Sequence, residues 1–149
     1  MNIQALKETI QELKEKELEL ENIKEKQIEI LKKKAEKFKE IIMLYKSEEI
    51  VFENPNLLLM FYTGPVLGIE KITNRAFIYD VDTESVILLG EDEPLDKKEE
   101  TSWWHLIKID QFENAIAGFD HLLDIPKNDL ANVKETIEEL KASIEELEN

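Results

Sequence analysis

Cysteine is absent from this 149-residue chain. That excludes a disulfide framework, thiolate catalysis and cysteine-ligated metal. Histidine occurs only twice, as His105 and His121, at a spacing that matches no metal motif. Glycine and proline are scarce, four of each, and none falls within residues 2–47. No apolar run approaches the roughly 18 residues of a membrane span. The longest, Leu57 to Tyr62, is the size of a strand. The N-terminus, MNIQALKETIQELKEKE, lacks the basic and apolar regions of a signal peptide. Together these absences predict a soluble, cytoplasmic protein with no membrane association, no metal and no cofactor.

Catalytic signatures are missing as well. Gly64-Pro65-Val66-Leu67-Gly68 lacks the Lys-Ser/Thr ending of a phosphate cradle and reads as a hairpin turn. There is no nucleophile elbow and no Ser/His/Asp arrangement. Asp80, Asp82, Glu84 and Glu91 stand at positions 1, 3, 5 and 12 of a calcium-loop spacing. Ser85 occupies the place that needs glycine, and the flanks read as strands, so the spacing is a coincidence.

Charge, in contrast, is abundant. The net charge is −15. Residues 1–47 carry 11 basic and 10 acidic side chains, residues 48–127 carry 6 and 17, and residues 128–149 carry 2 and 7. An acidic centre argues against direct contact with nucleic acid, which needs cationic patches. It leaves open a partner protein, basic or itself nucleic-acid-binding.

Three segments follow from periodicity. Residues 1–47 read as one long coiled-coil helix with Asn2 as cap. Ile3, Leu6, Ile10, Leu13 and Leu20 form its seam. The seam drifts after Leu20, as it does in a helix that changes partner midway. Residues 128–149 read as a second coiled-coil helix. Leu130, Val133, Ile137, Leu140, Ile144 and Leu147 follow the heptad spacing without a fault, and Pro126 and Asn128 mark the start. Charge complementarity predicts an antiparallel hairpin of the two, with Glu135, Glu138 and Glu139 near Lys32, Lys33, Lys34, Lys37 and Lys39. Residues 3–20 then overhang with a bare seam, which predicts a homo-oligomer or docking on a target.

Residues 48–127 change period from 3.6 to 2. They predict an antiparallel β-meander of about five strands: 57–63, 66–72, 75–81, 85–89 and 101–109. Asp110 with Glu113 resembles a capping box that opens a covering helix with Phe112, Ala115, Ile116, Phe119 and Leu123 on one face. The fold class expected is α+β. The order of long helix, β element and returning helix is similar in outline to the prefoldin plan, though the centre is far larger than a prefoldin hairpin.

Candidate contact residues cluster in TSWWHLIKID, residues 101–110. Read as a strand, it turns Trp103 toward the core and Trp104, with Lys108, toward solvent. Exposed tryptophan is a common binding anchor. Trp103, Trp104, His105 and Lys108, with Asp92 and Glu93 of the charged loop, form the expected partner-binding set. The functional expectation is a non-enzymatic protein–protein interaction module, a small acidic inhibitor or adaptor of phage or mobile-element type, a DNA mimic among its versions. The alternatives are a chaperone-like coiled-coil oligomer, and a small-ligand binder or enzyme with a pocket in the sheet.

Overall fold

A computed structural model describes residues 2–149. The chain is α+β. Asn2 caps α1 (Ile3–Lys37), its side chain accepting from the Ala5 amide. The helix breaks at Phe38 and resumes as α2 (Lys39–Ser47), so the segment is two helices instead of one. Across the break the buried stripe is Leu31, Ala35, Phe38, Ile42 and Tyr45, a spacing of four and three. The Phe38 ring stacks on Phe119 at 6.5 Å. Before residue 28 α1 touches little, and after it α1 packs on the head. The drift in the seam is this change of partner.

Two sheets follow. β1 (Phe52–Asn54) and β2 (Leu57–Phe61) form a short antiparallel ribbon. β3 (Val66–Glu70), β4 (Arg75–Asp80), β5 (Ser85–Leu89) and β6 (Glu99–Glu100) form an antiparallel meander in that order. One face of the meander buries Leu67, Phe77, Tyr79, Val86 and Leu88 against the helices. The other buries Val66, Ala76, Ile78, Ile87 and Leu89 against Phe61, Leu57 and Leu59 of the ribbon. The head is therefore three layers, and β4 and β5 are apolar on both faces because both faces are covered.

The fifth expected strand is a helix. Extended backbone ends at Glu100, and α3 spans Trp103–Lys108. The Ser102 hydroxyl caps it, accepting from the His105 amide at 3.1 Å. The apolar residues of WWHLIKI fit either period, and the cap decides for the helix. Asp110 does not open the next helix; it closes this one. It sits in the left-handed region at φ 62°, its amide donating to the Ile107 carbonyl and the Gln111 amide to that of Leu106. That is a Schellman closure. α4 (Phe112–Asp120) then covers the sheet, burying Ala115, Gly118 and Phe119. A single 3-10 turn, His121–Leu123, leads into α5 (Ile125–Glu148). α5 starts earlier than Asn128 because Pro126 is tolerated in the first turn, where no amide partner is needed.

The two terminal helices do not form a hairpin within the chain. Leu130, Val133, Ile137, Leu140, Ile144 and Leu147 are 44–85% exposed. Of the five lysines on the expected hairpin face, two meet the head instead: Lys34 pairs with Asp120 at 2.6 Å and Lys39 with Glu84, as nearby Lys46 does with Asp82 at 2.7 Å. The face of α1 and α2 offered to α5 is already filled by the sheet and α4. The likeness to the prefoldin outline ends there, since no helix returns along α1.

Candidate functional site

The α3 segment tethers to the sheet through side chains. His105 lies between two partners: Nδ1 is 2.7 Å from the Thr101 hydroxyl and Nε2 is 3.0 Å from a Glu70 carboxylate oxygen. Its ring meets Phe77 edge-on at 5.0 Å. Arg75 lies 3.6 Å from Glu70 and donates to Glu99 at 2.8 Å. The Glu99 hydrogen bond raises the Arg75 pKa further. Thr101, His105, Glu70, Arg75 and Glu99 thus form one chain of contacts that clamps α3 to β3 and β4. Both imidazole nitrogens are engaged, so neither faces a cavity as a free base.

A cleft of about 440 Å³ opens beside this clamp, lined by Ile69, Glu70, Lys71, Ile72, His105 and Gln111 among others. Glu70, His105 and Gln111 on its inner wall are turned inward, while Lys71 and Asp110 at its rim are exposed. The Gln111 side-chain amide accepts from the Ile69 amide and from Asn114, and donates to the Ile109 carbonyl. Gln111 is thereby occupied in holding the α3–α4 junction to β3.

The expected contact set is split by the fold. Trp103 packs on Tyr79, ring centroids 5.8 Å apart, at the edge of the core. Trp104 is 39% exposed and lies one helical turn from exposed Lys108, so the two share α3's outer face. His105 belongs to the clamp. Glu93 folds back to accept from the Gly90 amide at 2.7 Å and staples its own loop, while Asp92 is exposed nearby. Asp80, Asp82 and Glu84 turn to three different lysines, Lys98, Lys46 and Lys39. Among the described residues no three acidic or histidine side chains gather as metal ligands.

The exposed apolar surface lies elsewhere. Ile3, Leu6, Ile10, Leu13 and Leu20 of α1 are 51–57% exposed. The α5 seam is equally bare. Sequence reasoning misses a third patch: Leu58, Met60 and Tyr62 project outward from the ribbon. The signal is LLLMFY itself. An unbroken apolar strand needs cover on both faces, and a two-stranded ribbon at the molecule's edge covers one.

The bare helices start from opposite ends of the head. Leu20, Ile23 and Lys24 of α1 lie beside Phe112 and Glu113, at the start of α4. Past α4's far end the Tyr45 hydroxyl donates to the Leu122 carbonyl at 2.6 Å, and α5 begins three residues later. No helix among the described residues is long and apolar enough to cross a membrane. Compared with protein families, curated proteins and solved structures, the chain finds no match.

Proposed function

We propose that this chain is a non-enzymatic protein-interaction module, an adaptor whose compact acidic head sits between two helices that bind other chains. The observation that carries the reading is the exposure of both helical seams. Eleven aliphatic residues at heptad spacing stand in water on α1 and α5. Apolar surface of that extent marks a contact site. At the cleft's inner wall Glu70, His105 and Gln111 are engaged in hydrogen bonds, which supports binding over chemistry. A second reading, an acidic inhibitor of a basic partner, is favoured by Trp104 and by the acid excess of residues 48–127.

The test is capture by a tagged full-length chain. It runs beside a variant with Ile10, Leu13, Ile137 and Leu140 changed to serine, and beside Trp104→Ala. A stoichiometric protein, whether untagged copy or another chain, lost with the seam variant supports the adaptor. Loss with Trp104→Ala and with raised salt moves the contact to the α3 face. Equal recovery by all three rules out both readings.

A further inference from the structure

We infer that α5 pairs with α5 of a second copy as a parallel two-stranded coiled coil. This deepens the adaptor reading and rests on it. α5 is the longest uninterrupted bare seam, with six heptad positions filled in turn by Leu130, Val133, Ile137, Leu140, Ile144 and Leu147. Isoleucine occupies two of the three first positions, and leucine two of the three fourth positions. β-branched residues at the first position with leucine at the fourth favour two parallel strands.

The flanking charges distinguish the two directions. In a parallel pair, the residue before a first-position residue faces the one five places on in the partner. That brings Asp129 to the second copy's Lys134, twice by symmetry. In the antiparallel pair that seats Leu130 on the second copy's Leu147, Lys134 faces the second copy's Lys141. That antiparallel pair also sets Lys127 against the second copy's Glu148, so attraction and repulsion offset there, whereas the parallel pair has the Asp129–Lys134 attraction and no like-charge contact. Asp129 and Lys134 are free to do this, since the ion pairs within the chain use other residues.

α1 carries the same pattern in weaker form. Ile3 and Ile10 take first positions and Leu6, Leu13 and Leu20 fourth positions, but Glu17 and Lys24 interrupt the seam. A parallel pair would set each against its own copy. α5 has no such interruption, so it is the pairing element. A two-fold axis along α5 keeps both heads at one end of the coil and closes the assembly as a dimer.

The absence of cysteine allows a direct test. Full-length Leu147→Cys should oxidise to a disulfide dimer faster than Ala142→Cys, which lies on the outer face. In the antiparallel pair the two substituted positions stand about 25 Å apart, far beyond disulfide reach. In sedimentation the wild type should have twice the 17.5 kDa chain mass, and Leu140→Glu the single mass with the head still folded. Asp129→Lys should weaken the dimer about fivefold, and adding Lys134→Asp should restore it. A wild type that stays monomeric up to roughly millimolar concentration overturns the inference. So does preferential cross-linking in a mixture of Leu130→Cys and Leu147→Cys chains. If the wild type is monomeric but still captures another protein through its seams, the adaptor reading stands and the pairing alone falls.

Discussion

Glu49 occupies the left-handed region at φ 55° after α2, its amide bonded to the Lys46 carbonyl and the Ile50 amide to that of Tyr45. The position closes the helix as glycine normally does, without glycine's freedom. Glu49→Gly should therefore stabilise the head by about 1 kcal/mol, read as a higher midpoint in chemical denaturation. Asp80 is another residue whose setting decides its behaviour. Its side chain is 4% exposed. Burial disfavours its charge, but the Lys98 ammonium at 3.1 Å, the Asp82 amide and the Thr83 hydroxyl outweigh that and hold its pKa below the ordinary 3.8. A lowered folded pKa contributes stability above the unfolded value, and the contribution fades as pH falls through the folded one. Lys98→Met removes the main opposing charge, so acid unfolding followed by circular dichroism should move to higher pH. An unmoved transition would mean the amide and hydroxyl suffice. Neither role is legible in the sequence, because left-handed closures and buried carboxylates depend on what the chain meets.

At the scale of elements, α4 shows how a residue unfavourable to its helix becomes required. Gly118 lies inside a nine-residue helix. A Cβ there would stand 2.3 Å from the Val66 carbonyl oxygen and 3.0 Å from the Asn54 side-chain nitrogen. Asn54 in turn donates to the carbonyls of Val66 at 2.7 Å and Asn114 at 2.8 Å, and accepts from the Asn56 amide. Ribbon, sheet and α4 meet at this point. Gly118→Ala should destabilise by about 1–3 kcal/mol despite alanine's better helix propensity. Asn54→Ala should cost a similar ~1–3 kcal/mol by leaving buried carbonyls unpaired. Thermal melts of the two variants test both, and a stabilised Gly118→Ala would show that α4 can lift off β3. The strands of the meander are readable from alternation and turns. α3 is not, because apolar side chains at 103, 104, 106 and 107 supply both faces of a short strand as well as the i, i+3, i+4 face of a helix. The Ser102 cap is the sign that separates the two.

For the whole molecule, the head and the bare helices should be energetically separate. α1 fully buries no side chain before Leu31. Deleting residues 3–20 should leave the head's stability within about 0.5 kcal/mol, while helical content falls in proportion. A large loss in the denaturation midpoint would mean that the N-terminal turns support the head through assembly. The net acid of residues 48–127 is partly answered by α1 and α2, whose Lys34, Lys39 and Lys46 each reach an acidic residue of the head. Two of the five lysines expected to face α5, Lys34 and Lys39, are thereby taken by the head.

Local pattern alone determined the α+β class, the terminal helices, the four main strands and the apolar seam of residues 3–20, whose exposure was expected from a hairpin that does not form. Each depends on periodicity and capping within a few residues, and such signals survive without neighbours. Tertiary packing decided the break at Phe38, the helical state of α3, the separation of Trp103 from Trp104, and the refusal of α5 to fold back. Each of these depends on which surface reaches another first. In a chain with several apolar stripes and charges of both signs, that competition is settled only when the layers close.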